Sequence, residues 1–237
     1  YAIKDINKAV YYYTLAARQN EKNALFNLGN IYYYGINNQK NVVKGIQYFE
    51  LSALNNHIYG NFYTGYFYHE GKYIKRNIKK AIHFYKEASS FNNSFAKNNL
   101  GIIYKNGFGN EIRQNLGNAI IYFEEAIRCY KENCISMYNL AQLYFYENII
   151  ENGIDKSICL LIMSSELGCC YSKDLLCISL VRKYGFNLDL IKTEIEKENK
   201  NKLAEEICAK IINMRLNNFI VYEELYKYYR NIDLIFS

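Results

Sequence analysis

Residues 24–35 read ALFNLGNIYYYG, and the same frame returns as GNFYTGYFYHEG at 60–71 and as AKNNLGIIYKNG at 96–107. Leu28, Gly29, Tyr32 and Gly35 recur as Thr64, Gly65, Tyr68 and Gly71, then as Leu100, Gly101, Tyr104 and Gly107. Weaker copies follow with Leu140, Ala141 and Tyr144, and with Leu180, Val181 and Tyr184. Within the first copy Ala24, Leu28, Ile31 and Tyr32 stand at i, i+4, i+7 and i+8, one stripe of an α-helix. The glycine that closes each copy reads as a left-handed C-cap.

A second helical pattern follows each glycine. Asp5, Ala9 and Tyr12 return as Asn41, Gly45 and Tyr48, as Asn77, Ala81 and Phe84, and as Asn115, Ala119 and Tyr122. Asp155, Cys159 and Ile162 read as the last copy. The Asp or Asn that opens each is a natural N-cap. Periods of 20 to 50 residues belong to solenoids or propellers, and the helical stripe selects the solenoid. The chain is therefore expected to be all-α, an α-solenoid of stacked αα-hairpins. Glycine at position 29 and its equivalents lets helix axes approach closely. Extra residues fall between the two helices, at Phe108 to Glu111 and at Asn148 to Gly153, where a loop lengthens without disturbing the stack.

Composition agrees. The 237 residues are half hydrophobic, enough for a sizeable core, and include 26 tyrosines but no proline, which suits uninterrupted helices. No apolar run is long enough to span a membrane. The net charge of +6 is spread among acidic residues. Its densest run, Lys72 to Lys80, reads as a solvated loop and helix start ahead of a nucleic-acid contact. The chain opens at Tyr1 inside a repeat, which is expected of a fragment or processed chain, so a targeting segment would not be visible. The compartment stays open between cytoplasm and endoplasmic-reticulum lumen.

These positions resemble the Sel-one-like repeat (SLR) family of tetratricopeptide-like helical repeats. Its motif, approximately A-x3-L-G-x2-Y-x2-G, a loop, then D-x2-K-A-x2-Y-x3-A-A, is met by Ala24, Leu28, Gly29, Tyr32, Gly35, Asn41, Lys44, Gly45, Tyr48 and Ala53. The second copy supplies Gly65, Tyr68, Gly71, Asn77, Lys80, Ala81, Ala88 and Ser89. The resemblance implies a right-handed superhelix over residues 1–186. It would hold a partial repeat at 1–20 and repeats at about 22–56, 58–92, 94–132, 134–170 and 172–186 onward. Residues 187–237 leave the motif and read as amphipathic helices, including 202–216 and 219–231, that cap the solenoid or dock a partner.

The resemblance also implies that the first helix of each pair lines a concave face. The inward positions would be Asn23, Phe26, Asn30 and Tyr33, then Tyr59, Phe62, Tyr66 and His69, then Phe95, Asn98, Ile102 and Lys105. Ile135, Tyr138, Gln142 and Phe145 would continue the row. Aromatic anchors are what binding hot spots favour, and amides can bond a peptide backbone. Some of these rings are equally open to a role in packing between repeats. A charge placed at Phe62 or Tyr66 is expected to weaken partner capture without affecting stability.

Seven cysteines and three histidines form no metal-ligand spacing, and no phosphate loop or nucleophile–histidine–acid set is visible. No catalytic, cofactor or metal site is expected. The resemblance to cysteine-bearing bacterial relatives implies a disulfide between Cys169 and Cys177, while the residues themselves also read as buried small side chains. The leading reading is a non-enzymatic scaffold or adaptor that binds a protein or peptide segment within a larger complex. The family's range includes endoplasmic-reticulum quality-control ubiquitin-ligase complexes. An RNA-binding helical repeat is the alternative, although no nucleic acid is expected. A secreted protein with a host-interaction or hydrolase-like role is a weaker one.

Overall fold

The structure, a computed structural model, describes residues 5–36, 40–146, 152–185, 187–197 and 201–216. Twelve helices are present among them: Ile6–Ala17 (α1), Lys22–Tyr34 (α2), Val42–Leu54 (α3), Ile58–Glu70 (α4), Ile78–Ser90 (α5), Ser94–Asn106 (α6), Leu116–Cys129 (α7), Cys134–Tyr146 (α8), Gly153–Glu166 (α9), Ser172–Tyr184 (α10), Leu188–Glu196 (α11) and Asn201–Leu216 (α12). They fall into two compact units, Tyr1–Cys129 and Tyr130–Ser237. The fold is all-α, and α2/α3, α4/α5, α6/α7 and α8/α9 pack as hairpins.

In the first unit the punctuation repeats with the sequence. Asp5, Asn41, Asn77 and Asn115 each accept a hydrogen bond from the backbone N–H three residues on, at 2.9–3.0 Å, and so cap α1, α3, α5 and α7. The N–H groups of Asn41, Asn77 and Asn115 in turn donate to the carbonyls of Tyr32, Tyr68 and Tyr104, which closes each hairpin. Gly35 and Gly71 end their helices in the left-handed conformation, at φ 75° and 69°, as expected, whereas Gly107, with φ 66° but ψ 174°, leaves that conformation where the longer loop begins. Between repeats, Asn20, Asn56 and Asn92 take the left-handed conformation at φ near 60°. Glu21, His57 and Asn93 then cap the next helix. Phe108 and Ile112 pair as an isolated bridge that folds the longer loop of the third repeat tightly on itself.

The recurrent glycine does more than bring helix axes together. A Cβ on Gly29, Gly65 or Gly101 would stand 2.7, 2.8 or 2.5 Å from the ring of Phe49, Tyr85 or Phe123 on the second helix. All three rings are fully buried. The glycine is the seat of a ring. The motif tyrosines form a second recurrent contact, with Tyr32 on Tyr48, Tyr68 on Phe84 and Tyr104 on Tyr122 stacked within 7° of parallel.

In the second unit α9 corrects the expected register. Cys159 is exposed rather than packed at the small position. That position is taken by Ser157, fully buried, whose hydroxyl donates to the Ala141 carbonyl at 3.0 Å. The buried small position is therefore displaced by two residues from the reading that began at Asp155, the N-cap by three, to Asn152, and Asp155 pairs with Lys183 at 2.6 Å. The sequence pattern misled because both Cys159 and Ser157 are small. Asn148 to Glu151 lie outside the described residues.

The helix expected over 202–216 is α12; the one expected over 219–231 lies outside the described residues. Leu203, Ala204, Ile207 and Ile211 of α12 enter the same core as Leu176, Ile178 and Leu180 of α10. Lys173–Glu206 and Lys210–Asp174 ion pairs tie the two helices at their surface.

Candidate partner-binding groove

Each first helix of the first unit buries one stripe against its second helix and leaves the adjoining stripe for the neighbouring repeat or solvent. Phe26 of α2 uses that stripe to reach α4 and its N-cap. Its ring stacks on His57 with centroids 4.5 Å apart and lies 6.0 Å from Tyr59 and 5.9 Å from Tyr63. One repeat later Phe62 repeats the move, 6.1 Å from Phe95 and 6.1 Å from Tyr85. The third repeat has Asn98 at this position, buried, so the relay of rings stops there.

Burial sorts the predicted row. Asn23, Tyr59, Tyr66 and Phe95 are exposed, the three rings by 52%, 38% and 50%. Phe26, Asn30, Tyr33, Phe62 and Ile102 are half-buried. His69, Asn98 and Lys105 are buried. His69 meets Tyr85 and Phe108 edge-on, and burial, with Arg76 as a second cause, lowers its pKa to about 4. Phe62, wedged among Tyr63, Tyr85 and Phe95, is a packing residue as much as a surface one. A charge there would damage the fold, contrary to the expectation that it would leave stability untouched.

The last three predicted residues belong to the second unit. Tyr138, Gln142 and Phe145 of α8 are buried there. Gln142 Nε2 donates to the Tyr138 hydroxyl at 3.0 Å, and the Arg182 guanidinium of α10 lies 4.9 Å from the Phe145 ring. Ile135 is exposed.

Several residues of the exposed face escaped the sequence reading. Tyr34 and Tyr63 lie one helical turn beyond Asn30 and Tyr59, and Tyr73 arrives on the loop after α4. Tyr33 touches Phe67 at 5.1 Å, Tyr34 at 4.9 Å and Tyr73 at 6.4 Å. Burial, and then a hydrogen bond with Tyr34, raises the Tyr63 phenol to about 12. The i+4 spacing was the available signal, since side chains four apart share a face.

Cys169 and Cys177 are both buried and are not bridged to each other in this structure. Burial raises the Cys134 thiol above the ordinary range, and Cys169 is the next cause. Among the described residues no group of three or more His, Cys, Asp or Glu is placed to hold a metal ion. No described helix is long and apolar enough to cross a membrane.

Comparison with known proteins agrees with this architecture. No curated protein sequence matches the chain. Among solved structures, a Sel1 repeat protein from Oxalobacter formigenes superposes with a TM-score of 0.68 at 20% identity, over 89% of this chain and 80% of that one. A protective antigen of uropathogenic Escherichia coli that displays an SLR fold gives 0.67 at 20% identity, over 74% of this chain and 37% of that one. At this identity both show the fold alone. The Sel1 repeat family model matches residues 1–21, 22–57, 58–90, 94–130 and 134–169. The chain belongs to the Sel1 repeat family, whose members are generally helical-repeat scaffolds that bind other proteins and are typically non-catalytic.

Proposed function

We propose that the first unit offers the exposed part of its aromatic row as a docking groove for a segment of another protein, and that the chain thereby works as a scaffold or adaptor within a larger complex. The observation that carries this reading is the exposure of Tyr59, Tyr66 and Phe95 beside rings that are packed. Large rings with one anchored flank lose little entropy on binding and gain much area. Asn23 and Asn30 border them with amides able to bond an extended backbone.

Affinity capture with the intact chain from its native cell, beside a Tyr59→Glu/Tyr66→Glu/Phe95→Glu variant, tests the proposal. The wild type should retain a defined set of proteins that the variant loses, with the variant's helical content and melting temperature preserved. Retention of the same set by both would remove the groove from the function.

A further inference from the structure

At one buried position of the first helices the repeats hold Leu25, Asn61 and Met137, none of them charged. The third repeat puts Lys97 there, with only 8% of its surface in solvent. Packing of the hairpin does not call for a charge at this place, and a buried ammonium is costly unless it is paired and hydrogen-bonded. Lys97 Nζ meets Glu125 Oε2 of α7 at 3.0 Å, which engages one of its three N–H donors.

The pair borders a cavity of about 420 Å³ that is also lined by Asn92, Arg128 and Cys129. All five residues belong to the first unit, from the turn before α6, from α6 itself and from the end of α7. The Cys129 thiol donates to Asn92 Oδ1 at 3.6 Å, which leaves the amide N–H groups of Asn92 as donors. Among the described residues Arg128 has neither an ion-pair nor a hydrogen-bond partner. The lining therefore sets two cations against one carboxylate and offers many more donors than acceptors. That balance suits a ligand with a single negative charge, since Glu125 repels a second. The chain's net charge of +6 favours the approach of such a ligand.

We propose that this cavity binds a carboxylate, held by the fork of Arg128 and by Lys97 and Asn92. A planar guanidinium can meet a carboxylate with two parallel hydrogen bonds. The volume exceeds that of a carboxylate group and leaves room for a body about the size of an amino-acid residue. A small organic acid, or an acidic or C-terminal residue of a protein segment, brings this chemistry. None of the five lining residues belongs to the aromatic row, so the cavity and the groove stand or fail separately.

Cys129 makes the test direct, because it lines the cavity and is exposed, so an occupant should shield it from alkylation. Exposed Cys159 and Cys170 of the second unit serve as internal references. The intact chain is treated with iodoacetamide at neutral pH and low salt, and the rate at each cysteine is read by peptide mass spectrometry. The probes are N-acetylalanine, an acetylated and amidated tripeptide with a central glutamate, and the neutral N-acetylalanine amide. At least one acid should slow Cys129 in a saturable way and leave the references unchanged. Arg128→Gln, shown to be folded by circular dichroism, should raise the half-saturating concentration about five-fold. Protection by N-acetylalanine alone supports a terminal or small-molecule carboxylate, and protection by the tripeptide alone supports an acidic side chain. No protection by either acid, equal protection by the neutral amide, or protection unchanged in Arg128→Gln overturns the carboxylate site. Inorganic phosphate that protects at lower concentration than both acids assigns the cavity to a more highly charged anion and also overturns it.

Discussion

The two units build the same hairpin from different materials. In the first, Gly29, Gly65 and Gly101 each seat a buried ring from the second helix. In the second, Ala141 stands at the glycine position and Leu161 at the ring position, both fully buried in one core. The methyl gained on one helix is matched by the smaller side chain on the other. Glycine and ring are thus two halves of one contact, and a repeat can lose both together without losing the fold. The units differ in polar content too. All three histidines lie in the first. The second relies on serine hydroxyls, such as that of Ser164, which donates to the Cys134 carbonyl at 2.8 Å and lies 2.7 Å from the Ser172 hydroxyl.

The largest expected contrast is in acid. Burial lowers the His69 pKa from 6.5 to about 4, so the unfolded chain binds a proton that the folded chain refuses. Stability from neutral His69 is complete above about pH 6.5 and is lost as pH falls toward 4, amounting to about 3 kcal/mol. The second unit has no histidine. Its Glu194 is held down to about 2, chiefly by a hydrogen bond from Lys197, so that contribution is intact above pH 4.5 and lost only between there and 2. Hydrogen exchange resolved by unit between pH 7 and 4 should show the first unit opening earlier, and His69→Leu should remove most of the difference. Simultaneous opening of both units would break the comparison.

Next in size is the glycine seat. Gly101→Ala places a Cβ 2.5 Å from the Phe123 ring, which is buried and has nowhere to retreat. Overpacking of this kind costs about 2 kcal/mol in urea unfolding. Adding Phe123→Leu, which reproduces the pairing of the second unit, should recover part of that loss. Ala141→Gly should cost only about 1 kcal/mol, from helix propensity. A neutral Gly101→Ala would show that the ring is not what the glycine serves.

How far the sequence could be read follows from these same residues. The caps at Asn41, Asn77 and Asn115 and the turns at Gly35 and Gly71 depend on the local backbone, so the motif positions predict them directly. The fate of Phe26 does not, because it is decided by Tyr59 and His57, which another repeat brings to it. Helical periodicity assigns a face but not what covers it. For that reason the predicted row mixes exposed Tyr59 and Phe95 with buried His69 and Asn98, and passes over Tyr34, Tyr63 and Tyr73. The slip at α9 has a different origin. Ser157 and Cys159 are both small, and only the buried hydroxyl bond to Ala141 tells them apart.

Helix caps should be indifferent to the contrast between units. Asn93 accepts from the Ala96 N–H at 2.8 Å in the first unit, and Asn133 accepts from the Ser136 N–H at 3.1 Å in the second. Each Asn→Ala change should cost about 1 kcal/mol in chemical unfolding. A cost confined to one unit would mean that the shared turn geometry carries unequal load, and the likeness between units would then be shallower than their caps suggest.

The smallest effect on stability is expected where the largest effect on binding is proposed. Tyr59, Tyr66 and Phe95 are 52%, 38% and 50% exposed, so replacing any one by Glu should move stability by no more than about 0.5 kcal/mol. The same change at Phe145, which is 1% exposed, buries a carboxylate and should unfold the second unit. Thermal melts of the four single variants separate the cases. The comparison sharpens if the three exposed positions are neutral, because the predicted row would then include free surface in the first unit and core at Phe145 in the second. If Tyr66→Glu destabilised as Phe145→Glu does, the rings of the first unit would be packing residues throughout and the groove would have no floor.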